Sequence, residues 1–137
     1  MTKILIADDH DVMREGVVSI ISSIPGIKVQ DEATDKYQLL ELVKENRYDI
    51  ILLDFNMTNL NGMKVLEQLQ MIQPNVSIII LSMFSDRQYL KRALSAGASG
   101  YLPKENATEH LTDAIQKVTL GEFFISPEFT EFSDIYA

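Results

Sequence analysis

The chain has 137 residues, enough to bury one sizeable core but too few for a second full domain. Its 20 acidic against 12 basic residues give a formal charge of -8, which opposes binding to nucleic-acid phosphates, and the lack of cysteine removes disulfides and thiolate metal sites. The apolar runs are about five or six residues long against the roughly 20 that a membrane span needs, and Met1-Thr2-Lys3 leads straight into a strand instead of a signal peptide, so the chain reads as cytoplasmic.

Lys3-Ile4-Leu5-Ile6-Ala7 is a short apolar strand ending in Asp8-Asp9-His10-Asp11, three acids in four positions. A helix follows over residues 11–23, with Val17, Val18, Ile20, Ile21 and Ile24 as its core stripe and Pro25-Gly26 stopping it. Residues 27–33 form a more polar strand suited to a sheet edge. Thr34 or Asp35 can cap the next helix, whose Leu39, Leu40 and Val43 share one face.

Ile50-Ile51-Leu52-Leu53 is apolar at every position, which fits a parallel strand buried on both faces, and it delivers Asp54 to a polar loop. A helix over residues 62–73 follows, with Val65, Leu66, Leu69 and Ile72 at helical spacing, and Pro74-Asn75 makes the turn into a buried strand over residues 77–82. Residues 86–96 read as a fourth helix, with Gly97 placed for a left-handed helix end. Gly100-Tyr101-Leu102-Pro103 is a short strand with Lys104 at its carboxyl end. Pro103 cannot donate a ladder hydrogen bond, so this strand should lie at an edge or be ending there. Thr108 can cap the last helix, which closes near Gly121. Five strands alternating with five helices predict an α/β fold, a doubly wound parallel sheet of flavodoxin type with strand order 2-1-3-4-5.

In such sheets ligands bind outside the carboxyl ends of the strands. There the sequence places Asp8 and Asp9, Asp54, Ser82 and Lys104 on four different strands. Singly, Ser82 would be a strand-end hydroxyl, Lys104 a solvated lysine and Tyr101 a packed aromatic. Jointly they make a phosphoryl site. Clustered carboxylates repel unless a cation neutralises them, and Mg2+ is the natural one, with Asp8, Asp9 and Asp54 as ligands. With no Cys and only His10 near the acids, zinc is poorly supported, and His10 reads as a polar neighbour. Asp54 then acts as nucleophile toward a phosphoryl group, giving an acyl phosphate, while Lys104 and Ser82 serve its oxygens. No Gly-rich phosphate loop occurs.

These residues resemble the receiver domain of two-component response regulators over residues 3 to about 121. Ala7-Asp8-Asp9-His10, Arg14-Glu15-Gly16, Leu81-Ser82-Met83 and the stretch from Ala96 to Tyr101 are similar to the NarL/LuxR type. The resemblance implies a receiver domain over residues 1–121 and a linker or C-terminal extension over 122–137. It further implies phosphorylation of Asp54 by a sensor histidine kinase, metal binding through the backbone carbonyl of Asn56, and a switch pairing Ser82 with Tyr101. Homodimerisation is a further option, and DNA is reached only through a helix-turn-helix output domain outside these residues. The chain would be a phosphoacceptor and not an enzyme.

Two departures stand out. Thr58 replaces a common proline, and the family's frequent proline after the lysine is Glu105 here, with Pro103 before it. Phe84, two residues beyond Ser82, is placed to cover the acyl phosphate. The competing readings are a standalone receiver that signals by docking and a haloacid-dehalogenase-type phosphatase, suggested by Asp54-Phe55-Asn56-Met57-Thr58. Asn56 counts against the phosphatase, because an amide cannot act as general acid.

Overall fold

A strand apolar on both faces is stable only between two layers, and the chain supplies both. The computed structural model describes residues 1–83 and 87–127. In chain order they form β1 (Thr2–Ala7), α1 (Asp11–Ser22), β2 (Ile27–Ala33), α2 (Lys36–Glu45), β3 (Ile50–Asp54) and α3 (Gly62–Ile72). β4 (Ser77–Ser82), α4 (Arg87–Ser95), β5 (Gly100–Pro103), a 3-10 turn (Lys104–Asn106), α5 (Ala107–Thr119) and β6 (Phe124–Ile125) complete them. The sheet is parallel throughout, in the order β2-β1-β3-β4-β5-β6.

The two-residue period of a strand divides the core. Leu5, Ala7, Ile51, Leu53, Ile78, Ile80 and Tyr101 point to one side, where they meet Leu39, Val43, Val65, Leu66, Leu69, Leu90 and Ala93 from α2, α3 and α4. Ile4, Ile6, Ile50, Leu52, Ile79, Leu81 and Leu102 point to the other, against Val17 and Ile21 of α1 and Leu111, Ala114, Ile115 and Val118 of α5. Each of these side chains is almost wholly removed from water. At about 1.5–3 kcal/mol for each large apolar side chain buried, this double layer holds the sheet.

The predicted five-strand order is present, with β2 at an edge, and a sixth strand is added. β6 pairs Gly100 with Phe124 and Tyr101 with Ile125, so β5 is interior and simply ends at Pro103. Phe124, in the segment read as a linker, is 7% exposed and packs with the α5 side of the core. A two-residue strand carries no readable period, which is why it was not expected. Asp35 caps α2 by accepting from the Gln38 N–H at 2.8 Å. Thr108 does not cap α5. It lies inside the first turn, and Asn106 holds the cap position without a side-chain cap bond. Gly97, with φ of 105°, closes α4 as its left-handed end.

Candidate functional site

From β1 the chain turns to β2 on one side, and β3 returns to β1 on the other. The carboxyl ends of β1 and β3 therefore bound the crevice where strand order reverses. Ala7 lies opposite Leu53, so the residues that follow, Asp8 and Asp54, emerge side by side. Asp54 pairs in turn with Leu81 and Ser82 with Pro103, which places Ser82 and Lys104 on the same rim. Asp8, Asp54 and Ser82 are fully buried. The predicted set thus converges, and it does so by strand register alone.

Asp54 is held at both oxygens. Its Oδ1 accepts from the Asn56 N–H at 2.8 Å, and its Oδ2 stands 2.9 Å from Lys104 Nζ. Asn56 is pinned in turn, its Oδ1 accepting from the Met83 N–H at 2.7 Å. Asp8 is less well served. Its Oδ1 accepts from the His10 N–H at 2.8 Å, whereas its buried Oδ2 has no hydrogen-bond partner. Burial foremost, opposed by that His10 N–H and reinforced by the neighbouring Asp54, raises the Asp8 carboxyl above the ordinary carboxylate range.

Asp9 behaves oppositely. Partial burial pushes it up, but hydrogen bonds from Thr58 and the nearby His10 together prevail and hold it below the ordinary range. The Thr58 N–H reaches Asp9 Oδ2 at 2.9 Å. A proline at position 58 has no such donor, so the departure noted in the sequence acquires a role: it anchors the outer acid. Arg14 braces the same loop, donating to the Asp8 carbonyl at 3.0 Å, to Asp11 at 2.9 Å and to Glu32 at 3.1 Å.

The residue that sequence reasoning undervalued is His10. Its Nδ1 lies 3.2 Å from oxygens of Asp8, Asp9 and Asp54 and 3.1 Å from Lys104 Nζ. Its place directly after the acid pair was the available signal. Asp8, Asp9, His10 and Asp54 each contribute a donor atom within 4.8 Å of all the others. An unpartnered buried carboxylate oxygen in a largely oxygen donor set fits a hard divalent cation. Tyr101 is buried on β5, facing the α2, α3 and α4 side. Phe84 lies outside the described residues.

Comparisons with known proteins give the family. The response regulator receiver domain family matches residues 4–116. The chain is 37% identical over 128 residues to the transcriptional regulatory protein DegU of Brevibacillus brevis, covering 93% of this chain and 54% of that protein. It is 36% identical over 127 residues to the nitrate/nitrite response regulator protein NarL of Escherichia coli K12, covering 93% and 59%. The chain therefore spans a little over half the length of these curated relatives. Among solved structures, a LuxR-family two-component response regulator from Aurantimonas sp. SI85-9A1 superposes with a TM-score of 0.88 at 29% identity, covering 96% of this chain and 94% of that one. With a doubly wound sheet, an acid cluster at its switch point and a family match over most of its length, this chain belongs to the receiver-domain family of response regulators, and its relatives are of the NarL/LuxR type.

Proposed function

We propose that this chain is a phosphorylation-dependent switch in which Asp54 accepts a phosphoryl group from a phosphohistidine of a sensor histidine kinase. The observation that carries the reading is the pairing of the buried Asp54 Oδ2 with Lys104 Nζ at 2.9 Å, beside an Asp8 carboxylate whose second oxygen is unpartnered. An Asp54 oxygen attacks phosphorus, the phosphorus–nitrogen bond to the kinase imidazole breaks, and the bond's electron pair leaves with that imidazole. The product is an acyl phosphate on Asp54. Lys104 follows a phosphoryl oxygen as a point charge, and the Ser82 hydroxyl donates to another. Asp8, Asp9, Asp54 and the backbone carbonyl of Asn56 would hold Mg2+, which when bound offsets the negative charge gathered on the carboxylates and the incoming phosphoryl group.

Ser82 drawn toward the phosphoryl group and Tyr101 behind it form the element that transmits the change, biased by new contacts at Ser82 and Lys104. Residues 1–121, together with the β6 strand (Phe124–Ile125) that completes their sheet, form the receiver, and DNA is reached only through an output domain outside these residues. Two facts support this: the matching relatives, a transcriptional regulatory protein and a nitrate/nitrite response regulator, are covered to only 54% and 59% of their length, and the charge of -8 disfavours DNA binding by this segment itself. A phosphatase reading is disfavoured by Asn56, whose side-chain oxygen is occupied by the Met83 N–H and which has no acid proton to give.

The test is intact-mass measurement after incubation with a small phosphodonor, with Mg2+ or with a chelator. One phosphoryl adduct is expected with Mg2+ on the wild type, and none with chelator or on Asp54→Asn. An undiminished adduct on the Asn variant contradicts the assignment.

A further inference from the structure

We infer that the outer face of α4, with the groove between α3 and α4, is a docking surface for residues 128–137 of this same chain. The surface is separate from the acid cluster and does not depend on the phosphoryl reading. α4 carries Arg87, Lys91 and Arg92 and no acid, whereas α1, α2, α3 and α5 each contain at least one Asp or Glu. In a chain of formal charge -8 such a helix is a local reversal of sign, and it attracts an acidic partner. Leu90 and Ala93 bury its inner face, while Gln88, Lys91, Arg92 and Ser95 are exposed. Neither Lys91 nor Arg92 forms an ion pair among the described residues.

Beside this face two hollows open between α3 and α4, and Met63 and Arg92 line both. Leu60 and Tyr89 also line one, and Lys91 lines the other together with Glu67, the single acid among the described residues there. Leu60, Met63 and Tyr89 are only partly buried against the core, which leaves apolar surface for a ligand to cover. The wall that Tyr89 makes is set by packing. Its ring meets Phe55 edge-on with centroids 6.0 Å apart, and the Phe55 ring lies so close to Gly62 that a Cβ there would stand 2.7 Å from it. A wall fixed in advance costs little to bind against.

Charge and reach decide the occupant. Residues 128–137, outside the described ones, begin with three triplets, Glu128-Phe129-Thr130, Glu131-Phe132-Ser133 and Asp134-Ile135-Tyr136. Each is an acid followed by a large apolar residue, and none contains a base. A repeat of three matches the polyproline-II turn, which would set the acids along one edge for Lys91 and Arg92 and the apolar residues along the next for the groove. β6 delivers the segment to the correct side, since it runs parallel to β5 and Ile125 packs into the core layer shared by α3 and α4. Ten extended residues reach about 33 Å, whereas crossing one helix takes roughly 10–12 Å. Tethering makes weak contacts sufficient, because a segment on a short linker acts at an effective concentration of the order of millimolar. An acidic partner from solution has to displace it first.

The 137-residue chain contains no cysteine, so Ser133→Cys gives a single attachment point for a nitroxide spin label. In an isotope-labelled sample the nitroxide should broaden the amide signals of Met63, Gln88, Lys91 and Arg92 and spare those of α1, which lies on the opposite face of the sheet. Lys91→Glu with Arg92→Glu should abolish the broadening. Adding Glu128→Lys, Glu131→Lys and Asp134→Lys to that pair should restore it, with unshifted α1 signals showing that each variant is folded. Absence of α4 broadening in the chain with native charges, or broadening indifferent to Lys91 and Arg92, overturns the proposal. Equal broadening when the spin-labelled chain is mixed with a separate isotope-labelled chain places a second copy's segment on α4, and that also overturns it.

Discussion

The two ends of the one sheet are built on opposite principles. At the amino end, among the described residues, no buried side-chain polar atom lacks a hydrogen-bond partner. The Lys3 N–H donates to Asp49 Oδ2 at 2.8 Å, the Asp49 N–H returns to the Lys3 carbonyl at 2.9 Å, and Gln73 accepts from the Tyr48 N–H at 3.1 Å while donating to the Val43 carbonyl at 2.8 Å. A cleft lined by Lys3, Arg47, Tyr48, Asp49, Gln73 and Pro74 lies there, and the side chains of Tyr48, Asp49 and Gln73 in it are engaged in bonds that hold the fold. At the carboxyl end, three acids crowd around His10, Lys104 pairs with Asp54, and Asp8 Oδ2 is buried without a partner. One end contributes stability. The other holds charge in an arrangement that a cation and a phosphoryl group complete, and this cost to the free fold is the signature of a working site.

The sharpest way to break this comparison is to cut the amino end. Gln73→Ala leaves the Tyr48 N–H and two carbonyls without their partner and should lower stability by about 2 kcal/mol. Phosphoryl uptake should be unchanged, because nothing at the other rim moves. Urea unfolding and intact mass together decide it, and loss of uptake in a folded variant would show that the two ends are not separate.

Asp8→Asn should do the reverse. It removes a buried like charge beside Asp54, so the metal-free fold should gain about 1 kcal/mol, the size usual for relieving a strained site. Stabilisation by added Mg2+, seen as a rise in Tm for the wild type, should vanish. A variant less stable than the wild type without metal would contradict the view that this end is strained.

The smallest effect is a pair of opposed pH slopes. Between the ordinary value of 3.8 and its raised native value, Asp8 keeps in the folded state a proton that the unfolded chain has released. Stability from Asp8 is therefore full below that window and is lost as pH rises through the native value. Asp9, held low, contributes stability that is full above 3.8 and is lost as pH falls through its lowered native value. Unfolding measured against pH should show the Asp8 slope flattened in Asp8→Asn. An unaltered profile would mean that Asp8 does not titrate as its burial requires.

Much of this was legible in the sequence for a simple reason. In a parallel sheet covered on both faces, strands read as unbroken apolar runs, and the residue that ends each run is at the functional rim by construction. Ile50 to Leu53 predicts the central strand and Asp54 its site without any knowledge of partners, and the same logic places Asp8, Ser82 and Lys104. What escaped was whatever depends on a loop's path or on a contact far along the chain. His10 and Thr58 lie in turns that follow strands, and only three-dimensional closure brings one onto three carboxylates and the other onto Asp9. Phe124 and Ile125 have too few residues to show alternation, and their pairing with β5 is settled by the packing of Phe124 beside α5.

The central claim is that the single acid ending β3 carries the phosphoryl group while its neighbours hold the cation. Borohydride reduction converts an aspartyl phosphate to homoserine, so peptide mapping after treatment with a phosphodonor and Mg2+ reads the position directly. Conversion at residue 54, with Asp8 and Asp9 untouched, is the result expected. Conversion at Asp8 or Asp9 in the wild type, or undiminished labelling of Asp54→Asn, would contradict the account.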